Sequence, residues 1–186
     1  SHATGDKRFM KLCRRNVDLV DRIFRIENSA DFMTPGHQEI ELALVRLYNA
    51  TGEERYLKLA EFFVDKRGNN DKDSAADYGP LVDQSDIPAR KLRNVTGHAV
   101  RAVYYYCAIA DLAGIEKDDE LLESAKALFD DIYNRKMYIT GGIGAVINSE
   151  TFSAAYHLPN REAYAETCAA LGLALFASRM YSMIPD

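Results

Sequence analysis

The chain has 186 residues, is 47% apolar and carries a net charge of −5 with acidic and basic residues interspersed. That length and composition suit one globular domain with a sizeable core. They leave no basic face for nucleic acid or anionic lipid, and no apolar run approaches the roughly 20 residues that a membrane-spanning helix needs.

In chain order, the first element predicted is an amphipathic helix over residues 6–26. Phe9, Leu12, Val17, Val20, Ile23 and Phe24 form its apolar stripe, with Lys and Arg between them. Residues 36–49 differ: Ile40, Leu42, Ala43, Leu44, Val45, Leu47 and Tyr48 leave little polar face, so this helix should be buried nearly all round. Thr34-Pro35-Gly36-His37 ahead of it reads as an N-cap Thr, a Pro at the first helical position and a His in the first turn. The opening Thr4-Gly5-Asp6-Lys7-Arg8-Phe9-Met10-Lys11-Leu12 then returns as Thr51-Gly52-Glu53-Glu54-Arg55-Tyr56-Leu57-Lys58-Leu59. In each copy a Gly ends one segment and acidic residues open the next helix. A looser third copy runs from Ala113-Gly114 to Leu122.

Residues 68–88, rich in Asn, Asp, Ser and Gly, read as a long loop. An apolar and aromatic helix over 99–112 follows, announced by Thr96-Gly97-His98, and then an amphipathic one over 119–134. A second long loop, 138–160, contains Gly141-Gly142-Ile143-Gly144. It lacks the Lys-Ser/Thr ending and the strand–turn–helix setting of a phosphate cradle. A last apolar helix runs from Ala169 to about Met183. Six helices thus alternate between amphipathic and buried, as outer and inner helices of an α/α toroid do. A full toroid has about twelve. The fold class expected is all-α, and residues 1–186 are expected to form about half of an (α/α)6 barrel, truncated at both ends.

The chemistry gathers where the inner helices begin. In a toroid all inner helices start at one end, so His37, His98, Glu166 and Cys168 should meet at one mouth. Of the three cysteines, Cys13 and Cys107 lie inside helical stripes and read as packing residues. An odd, scattered set argues against a disulfide framework and for at least one free thiol. Cys168 stands at a helix start, which favours thiolate. With Thr167 as N-cap, Glu166 and Cys168 could reach one metal; carboxylate plus thiolate suits zinc, and at least two further ligands must come from elsewhere. Glu150, near Phe152 and Tyr156 in the Gly-rich loop, is a carboxyl group that aromatic surroundings can tune into a general acid.

Five ordered motifs carry a resemblance: Gly36-His37-Gln38-Glu39-Ile40-Glu41-Leu42-Ala43-Leu44, Gly97-His98-Ala99-Val100-Arg101-Ala102, Tyr138-Ile139-Thr140-Gly141-Gly142-Ile143-Gly144, Leu158-Pro159-Asn160 and Tyr164-Ala165-Glu166-Thr167-Cys168-Ala169. Together the chain resembles glycoside hydrolase family 127 and the related family 146. The resemblance implies an (α/α)6 barrel that releases β-L-arabinofuranose with retention of configuration. It implies a zinc held by one Glu and three Cys, one of those thiolates being the nucleophile. By motif, Glu166 and Cys168 match two of the four zinc ligands, Glu150 the general acid/base, and His37 and His98 sugar-binding histidines. The remaining two cysteines, including the nucleophile, have no counterpart here, and His157 stands where an acidic residue is expected. This chain alone is therefore expected to be inactive. The partner expected is an arabinose-containing oligosaccharide or glycoconjugate, with no nucleic acid and no membrane. Half a barrel is also expected to pair, either as a homodimer or with the missing half. The readings set against this are a non-catalytic helical sugar-binding or scaffolding module, and another (α/α)6 hydrolase such as an unsaturated uronyl hydrolase.

Overall fold

The computed structural model describes residues 5–69 and 79–184; residues 70–78 of the loop expected at 68–88 lie outside them. Among the described residues there are six α-helices: α1 (Arg8–Asp21), α2 (Ile40–Thr51), α3 (Glu54–Lys66), α4 (Ala99–Glu116), α5 (Asp119–Asp131) and α6 (Thr167–Met183). One-turn π segments, Arg22–Ile26 and Ile132–Lys136, extend α1 and α5. The pairing of helices follows their order, α2 with α3 and α4 with α5, and α4 also packs on α2 and α6. Among the described residues no helix is long and apolar enough to cross a membrane.

The two hairpin turns follow from local chemistry. Gly52 takes φ +72 at the end of α2 and its N–H donates to the Tyr48 carbonyl at 2.7 Å, as a left-handed C-cap should. At the other hairpin the expected Gly stop does not occur. Helix α4 runs through Gly114 to Glu116, and Lys117 supplies the left-handed residue at φ +57. Gly114 has a packing reason instead: a Cβ there would stand 3.3 Å from Met183 Sδ, so its missing side chain lets α6 approach. The Asp118 carboxylate then caps α5 by accepting from Leu121 N–H at 3.0 Å. Arg90 braces this end of the bundle, pairing with Asp65 in the last turn of α3 and with Asp118 at 2.8 Å.

α4 is the core. Ala102, Val103, Tyr105, Tyr106, Ile109 and Leu112 are fully buried on it, because α2, α5 and α6 cover it from different sides. Phe176 of α6 packs against Tyr106 and Phe129, with ring centroids 5.8 and 5.6 Å apart. Cys107 lies in this core as expected, and burial pushes its thiol up to about 12. Gly172 lets α6 lie against α4: a Cβ there would stand 2.3 Å from Val103 Cγ2. Gly172→Ala is therefore expected to destabilise the fold by about 1–3 kcal/mol, the usual cost of overpacking, read as a lower urea midpoint with an unchanged m-value.

The flanks are less covered than the apolar pattern predicts. Of the α1 stripe only Val17 is buried, while Phe9 and Leu12 are 70% and 59% exposed. Cys13 is also exposed, so it is not the packing residue expected. Leu171, Leu175 and Tyr181 of α6 are exposed too. The reason is sparse cover: α6 packs mainly on α4 and α5, and among the described residues no other α-helix packs closely on α1.

Candidate active site

Three connections converge on the starts of the inner helices, though not quite with the capping expected. α2 begins at Ile40 with Glu39 as its N-cap, so Thr34 is no cap and His37 stands in the turn before the helix. His98 is itself the N-cap of α4: its backbone is extended, and Nδ1 accepts from Arg101 N–H at 3.5 Å. At α6 the cap is Glu166, again extended, and Thr167 is the first helical residue. The break between Glu166 and Cys168 therefore falls one residue earlier than Thr167 capping would put it, which still frees the carboxylate from the helical 200° offset.

The loop bearing Glu150 is pinned onto the start of α4. His98 and Thr151 form an antiparallel bridge, Ala99 N–H donates to the Glu150 carbonyl and Phe152 N–H to the Gly97 carbonyl, both at 2.9 Å. Glu150 itself takes φ +56, a conformation uncommon outside glycine. Its side chain lies 2.8 Å from His98 Nε2. With Nδ1 occupied as an acceptor, the neutral ring carries its proton on Nε2 and donates it to Glu150. His37 sits nearby, exposed at the rim. Partial desolvation, then the Arg101 guanidinium and His98, hold its imidazole below the ordinary value, against the opposing pull of Glu39. Arg101 is itself buried and donates to the Gly36 carbonyl at 3.2 Å.

Two tyrosines complete the mouth, and neither was given a role on sequence grounds. The Tyr164 hydroxyl donates to Glu166 and is within hydrogen-bonding reach of Glu150, so it stands between the two carboxyl groups; burial first, then both carboxylates, push its own proton affinity well up. Tyr104 is the half-buried residue in the otherwise buried stretch 101–110. It is close enough to Cys168 and Glu166 to feel their charges. Signals for both existed. Tyr164 lies inside the motif quoted above, and Tyr104 stands three residues beyond Arg101 on the same face of α4.

Glu166 and Cys168 are side by side. Hydrogen bonds from Tyr164 and then from the Cys168 thiol hold the Glu166 carboxyl below the ordinary range. The converse holds for the thiol: that bond and the carboxylate's charge push Cys168 up. The lowering expected from a helix start is thus outweighed by an adjacent anion. An oxygen and a sulfur donor facing each other fit half of a tetrahedral zinc site. Among the described residues no group of three or more His, Cys, Asp and Glu side chains could hold a metal ion, so the site needs donors beyond these two.

All five residues singled out from sequence, His37, His98, Glu150, Glu166 and Cys168, therefore gather at one mouth, linked through Tyr164 and Arg101.

Comparison with known proteins shows the family to which the chain belongs. The family model described as β-L-arabinofuranosidase, GH127 catalytic domain, matches residues 1–186. A non-reducing end β-L-arabinofuranosidase of Bifidobacterium longum subsp. longum is 34% identical over 197 aligned residues, which take in 98% of this chain and 30% of the relative. Among solved structures, a GH127 β-L-arabinofuranosidase from Geobacillus stearothermophilus T6 superposes with a TM-score of 0.92 at 37% identity, covering all of this chain and 31% of that one. A second GH127 β-arabinofuranosidase gives 0.91 at 39% identity, with 100% and 28% covered. The chain thus spans less than a third of the length of these relatives. The all-helical hairpin plan, the single mouth and the full-length family match lead to one statement: the chain belongs to glycoside hydrolase family 127 and forms part of its helical catalytic domain.

Proposed function

We propose that the protein containing this chain is a retaining glycosidase that releases β-L-arabinofuranose from an arabinose-containing oligosaccharide or glycoconjugate. The observation that carries the reading is the meeting of Glu150, held by His98, with the Glu166–Cys168 pair across the Tyr164 hydroxyl.

Retention requires an acid/base on one face of the sugar and a nucleophile on the other. Glu150 fits the first role. It is half exposed, its carboxylate is oriented by His98, and it can give a proton to the leaving oxygen and then take one from the incoming water. His37 and His98 stand where a sugar's hydroxyls can be bound, and Glu166 with Cys168 would hold two of the four positions on a zinc ion. When bound, the metal keeps its thiolate ligands ionised near neutral pH. The nucleophilic thiolate is assigned, by the family resemblance, to a cysteine outside this chain. Pairing of the open flanks at α1 and α6, with the rest of the barrel or with a second copy, is part of the same proposal.

The test uses the full-length protein with an aryl β-L-arabinofuranoside, following the first-formed anomer by proton NMR. Initial release of β-L-arabinofuranose supports the reading. No turnover, or the α anomer as first product, overturns it. Zinc analysis of the same sample separates it from a metal-free uronyl hydrolase, and binding without turnover would mark a sugar-binding module. The 186-residue chain alone is expected to show no hydrolysis.

A further inference from the structure

Neither imidazole at the mouth is held by a helix body. His37 precedes α2 and His98 caps α4, so packing of the helices alone leaves their separation free. Besides the Arg101 bond to the Gly36 carbonyl, a pair of buried amides joins the two segments. Gln84 is fully buried, with a left-handed backbone at φ +59. Its Nε2 lies 3.0 Å from the Val82 carbonyl, 3.1 Å from that of Thr96 and 3.5 Å from that of His98. Its Oε1 accepts from Gln38 Nε2 at 2.9 Å. Gln38 is the residue after His37, is also fully buried, and donates to the Asp83 carbonyl as well. The backbone adds a bond from His98 N–H to the Val82 carbonyl at 2.9 Å.

Gly97 explains how these groups come so close. Its φ is +73, and a Cβ there would fall 2.2 Å from the Leu81 carbonyl oxygen and 2.5 Å from Gln84 Nε2. The turn carrying Gln84 therefore lies directly against the chain on both sides of Gly97. Arg67, also fully buried, braces the same turn from behind, donating to the carbonyls of Asp83 and Pro35 at 3.1 and 2.6 Å.

We propose that the Gln38–Gln84 amide pair is a positioning device that sets the distance between the His37 and His98 imidazoles. It ties the chain beside one histidine to carbonyls at and before the other. Gln84 suits the task because its one planar group accepts from Gln38 and donates toward the chain beside His98, with water kept from both bonds. The inference rests on the reading that both histidines address one sugar ring.

The test is made in the full-length protein with Gln84→Met, Gln38→Met and the double variant, and with Leu128→Ala on α5 as a control that disturbs a remote part of the core. Each Met variant is expected to lower kcat/KM on an aryl β-L-arabinofuranoside about tenfold or more, since misplacing a binding group by about 1 Å costs at least that. The double variant should lose about as much as the more damaging single and no more, because one connector is broken only once. Crystal structures of the Met variants should show the His98 ring moved relative to His37. Leu128→Ala should lower thermal stability without moving either ring. Should Gln84→Met fail to fold, Gln84→Gly removes the amide while suiting the left-handed backbone. Unmoved imidazoles, or losses that multiply in the double variant, overturn the proposal. If the unaltered protein shows no turnover, the glycosidase reading falls, and the ring positions still decide this one.

Discussion

Glu150→Gln in the full-length protein is expected to lower kcat on alkyl arabinofuranosides by about 10²–10⁴, the range that a positioned acid/base contributes. The substitution is conservative in shape. A glutamine carbonyl can still accept from His98 Nε2, which lies 2.8 Å from the carboxylate now, so the loop pinned at Ala99 and Phe152 keeps its place. What is lost is the proton. The effect should therefore depend on the leaving group: an aryl oxygen of low pKa departs without protonation, so cleavage of a nitrophenyl substrate should suffer less than cleavage of an alkyl one. The second step still lacks a base to activate water, so the glycosylated form of the enzyme should accumulate on the aryl substrate. Steady-state and burst kinetics across a series of leaving groups make the measurement. A loss below about tenfold on every substrate would remove Glu150 from the acid/base role.

The second large effect is expected at the sulfur. Cys168→Ser replaces a thiol that can ionise under a metal with a hydroxyl that does not, and should abolish stoichiometric zinc after dialysis. Tyr164→Phe offers a graded comparison, because its hydroxyl supports Glu166 rather than reaching the metal; changes of that kind cost about 10–100-fold in affinity. Competition with a chelator of known affinity ranks the three proteins. The pH dependence has a definite sign. Without metal the Cys168 thiol is held above its ordinary value by the neighbouring carboxylate, so zinc must displace a proton to bind, and its affinity should rise with pH through the range where that thiol titrates. Equal zinc content in Cys168→Ser and the unaltered protein would dismiss the site.

The fold was legible in the sequence because burial and periodicity report the same thing. In α4, an apolar run of helical length did mean coverage from several sides. The outer flank of α1 misled for the complementary reason: the stripe with Phe9 and Leu12 records that a helix face is apolar, not what covers it. Gly114 misled because glycine answers to two demands, a left-handed turn and a close approach, and here the second applies. The site's ingredients could be found since His37, His98 and Glu166 stand near helix starts, yet their exact caps could not. Whether Thr34, Glu39 or His98 ends up as the capping residue depends on how neighbouring loops bond to the backbone. Tyr164 and Gln84 escaped for the same reason, since their partners are more than ten residues away or across a left-handed turn.

His37, His98, Glu150 and Glu166 all lie on connections between helices or at their caps, and Cys168 is only the second residue of α6. The parts that decide chemistry are therefore separable from the parts that decide stability. A lineage built on such a plan can exchange one connecting segment, and with it a donor, an acid or a sugar contact, while the interlocked rings of Tyr106, Phe129 and Phe176 stay as they are. Diversification of catalysis on this scaffold should thus proceed by turnover of its connectors, with the helical interior inherited nearly intact.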